Sequence, residues 1–290
     1  MQIFINVFIT TSTILLISFS FSIIYSSIKF FHIAHAITIT IGAYLNFLFY
    51  IQMGLHIWFS IPLAVTGASF IAVIFELLIF KKLRKRNASS WKILIASLGI
   101  YVVMQNLISL IWGDETKSIR TWSVKTGHNI LGAYITDAQI ASIVISIILL
   151  IGGIMFLHLT SLGKQIKAVS SNPELSNIFG ISSNKIILSS FIIGSALASI
   201  GGILITLDTD MNPSMGFRIL LYAAVVMIIG GVGSYKGLIG GALLLSTAQH
   251  LSAYYIDGRW MEATSYVILV LFLVWKPLGF SGKRSKKLEI

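Results

Sequence analysis

His32 and His35 stand three apart in FFHIAHAITIT, a spacing that lets two imidazoles share one face of a helix. Two imidazoles could begin a metal site, but a closed shell needs further ligands. The chain has no cysteine, and no Asp or Glu stands near the pair. Polar packing or a role along a solute pathway therefore outweighs metal binding, since ionisable groups at membrane depth are costly and face a protein interior. Gln105 and Asn106 are adjacent amides inside an apolar stretch, as is Gln249; such groups suit interhelical hydrogen bonds or a polar lumen. Glu76 lies close before Lys81 and Arg84, and an ion pair with one of them is expected. His158 and His250 sit beside polar neighbours near the ends of apolar stretches and read as hydrogen-bonding groups. The chain contains no GxxxxGK[ST] motif; Gly233-Ser234-Tyr235-Lys236 and Gly163-Lys164-Gln165 lack the spacing, and neither HExxH nor GxSxG occurs. No enzyme chemistry is expected of this chain.

The elements that must position these groups are apolar. The 290 residues are 56% hydrophobic and 11% charged, where soluble domains carry about 25% charged residues. A water-exposed surface of ordinary size cannot be built from this composition. In lipid every backbone polar group must bond internally, which leaves helices or closed barrels. The uninterrupted apolar runs favour helices, because barrel strands would alternate with polar residues. The expected fold is all-α, one polytopic membrane domain over residues 1–290, with spans near 3–24, 31–52, 57–80, 91–112, 138–159, 186–207, 218–231, 237–256 and 262–275. About 20 residues suffice for a helix to cross the hydrocarbon. The opening MQIFINVFITTSTILLISF has no basic leader and is expected to be the first span and not a signal peptide.

The net charge of +11 follows the loops. Lys81, Lys82, Arg84, Lys85, Arg86 and Lys92 form one cluster; Lys164, Lys167 and Lys185 form a second; Lys276, Lys283, Arg284, Lys286 and Lys287 form a third. Cytoplasmic loops concentrate Lys and Arg in this way, so nucleic acid is not an expected partner. The 113–136 loop mixes Asp114 and Glu115 with Lys117, Arg120 and Lys125, and lies one span from two basic loops, hence outside. Asp208, Asp210, Asp257 and Glu262 fall on the same side, and Lys236 falls inside. Nine crossings place Met1 outside. Eight place it inside, if 31–52 is broken or re-entrant; the first 28 residues carry no charge to decide.

Gly194, Ala198 and Gly202 recur every four residues, and Gly237 and Gly241 repeat the interval. Small residues at that spacing let helix backbones approach closely in lipid. The loop 160–185 contains a short helix expected at 173–179. Ser171 or Asn172 caps it, Pro173 fits the first turn, Glu174 suits the positive dipole end and Gly180 ends it. Two turns do not hold alone in water. Leu175, Ile178 and Phe179 give this helix an apolar side suited to a cytoplasmic partner or to the membrane surface.

Four blocks in order resemble the integral permeases of branched-chain amino acid ABC importers, the LivH type, over nearly the full length: IYSSIKFFHIAHAITITIGAY; FELLIFKKLRKRNASSWKILIASLGIYVVMQNLISLIWG; GKQIKAVSSNPELSNIFGISSNKIILSSFIIGSALASIGGIL; and NPSMGFRILLYAAVVMIIGGVGSYKGLIGGALLLS with the later WKPLGFSG. His32 stands where the family carries asparagine, Ala36 where it carries glycine, Ile37 where a polar residue is common, and Leu77 where arginine usually follows Glu76. The resemblance implies two permeases forming a pathway in a bacterial inner membrane. It further implies two cytoplasmic ATPases that hold ATP and Mg, and an extracytoplasmic binding protein that delivers the solute. No cofactor is expected on this chain. Gly163, Ala168, Glu174, Phe179 and Gly180 are the residues expected to couple to the ATPases, and His32, Ala34, His35, Gln105 and Asn106 those expected along the pathway. The departures at His32, Ala36 and Ile37 leave the solute open. An ATP-independent channel or carrier for a small polar solute such as urea is the rival reading. It would need membrane-embedded carboxylates or inverted half-helices for ion coupling, and such carboxylates are nearly absent.

Overall fold

A computed structural model describes residues 1–121, 127–130, 132–276 and 279–280. Lys125, Lys283, Arg284, Lys286 and Lys287 lie outside the described residues, as does part of the WKPLGFSG block. The chain is an all-α polytopic bundle. Helix α1 (Gln2–Ile28) leads to α2 (His35–Phe47), which ends in a π-helical turn, Leu48–Gln52. Helix α3 (Ile57–Phe75) passes through a second π turn, Glu76–Phe80, and continues as α4 (Lys81–Lys85). Helix α5 (Ser90–Trp112) precedes a small antiparallel hairpin of β1 (His128–Ile130) and β2 (Ala133–Ile135). Then come α6 (Asp137–Leu159), α7 (Ser161–Ser171), α8 (Pro173–Ile178) and α9 (Ser183–Asp208). The chain closes with α10 (Met215–Gly230), α11 (Tyr235–Tyr255) and α12 (Trp260–Trp275).

Among the described residues, five helices are long and apolar enough to cross a membrane: Gln2–Ile28, Ile57–Lys85, Ser90–Trp112, Asp137–Leu159 and Ser183–Asp208. Their burial differs sharply. The apolar window of α1 is 89% buried, against 28% for α5 and 17% for α6. Helix α1 is therefore a core element packed by α9, α10 and α11, whereas α5 and α6 turn most of their surface outward.

The second core helix is α9, against which α1, α2 and α3 all pack. Its small residues explain how three neighbours fit. A Cβ on Gly194 would lie 2.6 Å from Ile24 Cγ1 of α1, and one on Gly202 would strike the Ile39 carbonyl of α2. Ala198 between them is fully buried. The second pair serves another seam, where Gly237 meets Gly230 and Gly241 faces Val226, both on α10.

Three boundaries depart from the sequence expectation. The span expected at 31–52 begins helically only at His35, because Lys29 takes a left-handed conformation (φ 58°) that stops α1 and the chain turns before α2. The basic run expected as a loop from 81 is helical through Lys85. Cations suit the negative end of a helix, and Asn87 (φ 50°) marks the turn that follows. The 160–185 loop holds two helices and not one.

Hydrogen bonds fix which end of α1 is which. Gln2 Nε2 donates to the Tyr134 carbonyl at 3.0 Å, and Tyr134 N donates back to Gln2 Oε1 at 2.8 Å. At the other end Ser27 and Ser190 hydroxyls are 2.8 Å apart, near the start of α9. Met1 thus shares the end of the molecule that carries the 113–136 loop, and α1 runs from that end toward the 160–185 segment.

Candidate coupling element and buried histidine network

The segment between α6 and α9 is built from local caps. Thr160 ends α6, its N–H bonding Phe156 O at 3.2 Å, and its hydroxyl oxygen caps α7 by accepting from Gly163 N at 3.0 Å. The reversal presses α7 onto the end of α6, so a Cβ on Gly163 would fall 2.5 Å from Leu157 Cα. Leu162, Ile166 and Val169 at helical spacing turn inward, Ile166 and Val169 being buried. That i, i+4, i+7 pattern is the signal by which α7 could have been found. Ala168 is half-buried on the same helix.

Asn172 then caps α8, its Oδ1 accepting from Leu175 N at 2.9 Å, with Pro173 in the first turn. Glu174 occupies that turn, and Gly180 takes the left-handed conformation (φ 81°) that ends the helix. The helix covers 173–178, close to the range expected. Ser183 secures it, donating its hydroxyl to Pro173 O at 2.9 Å and its N–H to Asn177 Oδ1 at 2.9 Å. Two bonds from α9 thereby hold a helix too short to persist alone. Its tip is bare: Ile178 is 79% and Phe179 76% exposed, with Leu175 beside them.

His32, Ala34 and His35 come together at the entry to α2. Ala34 N donates to Ser97 Oγ on α5 at 2.8 Å, and Ser97 Oγ stands 3.3 Å from His32 Nδ1. Having accepted from Ala34, the Ser97 hydroxyl can either donate to His32 Nδ1 or accept from it, according to the tautomer of the ring. His35 Nε2 lies 3.1 Å from Ser20 Oγ of α1, and that hydroxyl already donates to Ile17 O at 2.7 Å. Ser20 can only accept from His35, so Nε2 of His35 carries the proton. The rings of Phe80 and Phe191 stand edge-on to His32 at 4.8 and 5.1 Å. Both imidazoles are buried, and they tie α1, α2 and α5 into one unit. Among the described residues no group of three or more His, Cys, Asp or Glu converges to hold a metal ion.

Gln105 and Asn106 lie two turns further along α5 and do not join this network. Asn106 is exposed and donates only to Val102 O of its own helix, at 2.7 Å. The other polar groups find partners: Gln249 Nε2 donates to Ser265 Oγ at 2.7 Å, and His250 Nε2 stands 2.8 Å from Thr10 Oγ1. His158 is exposed with its ring edge-on to Tyr235 at 5.7 Å. Glu76 pairs with Arg84, whose Nη1 donates to Oε2 at 3.0 Å.

The family described as the branched-chain amino acid transport system permease component matches residues 3–274. The high-affinity branched-chain amino acid permease LivH of Escherichia coli K12 is 26% identical over 284 residues, covering 94% of this chain and 92% of that protein. BraD of Pseudomonas aeruginosa, a permease with the same description, is 27% identical over 285 residues with the same coverage of each. In fold the chain is similar to PsaBC from Streptococcus pneumoniae, solved with a Fab, at a TM-score of 0.53, with 16% identity and coverage of 94% and 91%. With the helical bundle, these similarities identify a multi-pass membrane transport protein, and the chain belongs to the family of branched-chain amino acid transport system permeases.

Proposed function

We propose that this chain, paired with a second permease subunit, identical or homologous, forms the pathway of an ATP-binding-cassette importer for branched-chain or related amino acids. Its place is a bacterial plasma membrane, crossed nine times as one domain with Met1 outside. ATP and Mg act on separate cytoplasmic subunits, and an extracytoplasmic binding protein supplies the solute. The observation that carries this reading is the bare apolar tip of α8, fixed to α9 by two hydrogen bonds yet leaving Ile178 and Phe179 largely exposed and Leu175 half-exposed. Apolar side chains left out on a rigid mount suit burial in a partner.

Transport proceeds by alternating access. Closure of the ATPases pushes on α7 and α8, where Gly163 allows tight seating on α6, Ala168 continues the contact and Gly180 sets the exit toward α9. Glu174 and Phe179 meet the partner directly. Movement passes to α9 and through it to α1, α2 and α3. His32, Ala34 and His35 hold the α2 entry in place behind the pathway, while Gln105 and Asn106 face it from the outward side of α5.

The test is co-purification from native membranes with Phe179→Asp against wild type. ATPase subunits are expected with the wild type, and the substitution is expected to release or uncouple them. Wild-type protein that carries no ATPase, with uptake abolished by an ionophore, would leave an ATP-independent carrier in its place.

A further inference from the structure

Between the ends of α1, α6 and α7 and the turn that opens α11 lies a cavity of about 520 Å³, inside the roughly 300–1,000 Å³ range of small-molecule sites. Its fixed charges have one sign. Lys167 of α7 and Lys236 of α11 line it, and among the described residues no carboxylate does. Neither ammonium enters an ion pair among the described residues; Lys167 Nζ instead sits 5.8 Å from the centre of the Tyr235 ring. Burial also lowers the Lys167 pKa, a penalty on the charged form that an anion in the cavity would relieve.

The same cavity receives the positive end of a 21-residue helix. Ser234 caps α11 by accepting from Gly237 N at 3.1 Å, while the amides of Tyr235 and Lys236 in the first turn have no acceptor among the described residues. A separate observation comes from α1. Ser12, Ser18, Ser20 and Ser27 each turn their hydroxyl back onto a carbonyl of their own helix. Ser22 lines the cavity, is only 3% exposed, and has no hydrogen-bond partner among the described residues. Its hydroxyl, open to the cavity and not turned back onto the helix, is free to donate to a group held there.

Unpaired ammonium groups, free amides and a free hydroxyl describe a site for a phosphate. Ile23, Leu157 and Ile166 supply an apolar wall beside it. A free phosphate has no use for that wall, whereas a phospholipid brings apolar surface next to its phosphate. We propose that the cavity binds the phosphate of an anionic phospholipid from the cytoplasmic leaflet, with Lys167 and Lys236 as its cationic sides and Ser22 as a donor. Basic pockets between membrane helices on that face recognise such headgroups. Because Lys167 belongs to α7 and Lys236 to α11, the bound lipid bridges the coupling element to the helix bundle. The leaflet, though not the chemistry, rests on the orientation proposed above.

Native mass spectrometry of the complex, transferred from phosphatidylcholine nanodiscs with and without phosphatidylglycerol, tests this. Wild type is expected to retain one phosphatidylglycerol per permease chain. The Lys167→Gln/Lys236→Gln double variant should retain it about tenfold less or weaker still, and Lys167→Arg/Lys236→Arg should restore it. That last variant guards against a mere folding failure. Equal retention by the glutamine variant would overturn the site. Saturation by inorganic phosphate in pure phosphatidylcholine, with no phosphatidylglycerol retained, would overturn the lipid as its source. None of these readouts depends on which solute is carried or whether ATP drives it, so failure here is distinguishable from failure of the transport reading.

Discussion

Arg84 reaches back from α4 to grip Glu76 with both terminal nitrogens, Nη1 donating to Oε2 at 3.0 Å, across the π-helical turn Glu76–Phe80. Glu76 is 1% exposed and Arg84 19%. The pair closes the end of the long α3–α4 helix at the boundary where the chain becomes basic. A buried carboxylate of this kind is tolerated only with its partner in place.

Arg84→Met should therefore destabilise the protein by about 3 kcal/mol, the lower end of the range for breaking a buried pair because Arg84 is partly exposed. Glu76→Gln together with Arg84→Met should recover most of the loss. Thermal unfolding of the three proteins in nanodiscs checks it; a double variant no better than Arg84→Met alone would show that the pair's charge is not what matters.

Two glycines of opposite setting give the second prediction. On Gly202 a Cβ has nowhere to go, since the Ile39 carbonyl of α2 occupies the position. Gly202→Ala should cost about 1–3 kcal/mol, the usual range for overpacking. Gly152 on the outward face of α6 has nothing within 4 Å of its would-be Cβ, so Gly152→Ala should be neutral or stabilise by up to about 1 kcal/mol through helix propensity. Comparison of their melting temperatures decides whether α9 is as tightly seated as described.

What the sequence made legible follows from how local each cause is. Asn172, Pro173 and Gly180 cap and stop α8 through bonds within a few residues, and the helix lies where they place it. Helix α7 escaped because its polar residues masked the Leu162, Ile166, Val169 repeat inside a segment read as a loop. The end of the bundle that Met1 shares had no local cause at all. Without a charge before Lys29, only the contact of Gln2 with Tyr134, 132 residues away, could assign it. The histidines were visible as a pair, but their surroundings come from Ser20 on α1, Ser97 on α5 and the rings of Phe80 and Phe191. No periodicity brings those residues together.

The loops at the Met1 end of the bundle carry a pH-dependent contact. Arg120 Nη2 bonds Asp210 Oδ1 at 2.7 Å and Nη1 reaches the Asp208 carbonyl at 3.2 Å. The hydrogen bond from Arg120 holds the Asp210 carboxyl below its ordinary value, with Ser118 assisting. A depressed pKa means stability that is fully present above the unfolded value of about 3.9 and lost as pH falls through the lower folded value. The melting temperature of wild type should exceed that of Asp210→Asn slightly at neutral pH, the pair being half-exposed, and the difference should close below about pH 4. A constant difference across that window would assign the effect to something other than this carboxylate.

Asn106 and His32 separate two ways of serving a pathway. The Asn106 amide bonds only Val102 O of its own helix and otherwise faces away from the chain. Replacing it removes nothing from the fold, so Asn106→Leu should leave stability within about 0.5 kcal/mol while lowering solute uptake, if the proposed pathway runs along that face of α5. His32 is enclosed by Phe30, Phe80 and Phe191 and joined to Ser97. A smaller residue there leaves a cavity, so His32→Asn should destabilise by about 1–3 kcal/mol. Its effect on uptake should come through the rate and not through the ranking of solutes, if the ring supports α2 from behind the pathway as proposed. Melting temperature and competition uptake of leucine against other amino acids, measured on both variants, give the answer. A changed solute ranking in His32→Asn would move the imidazole from a support behind the pathway to its lining.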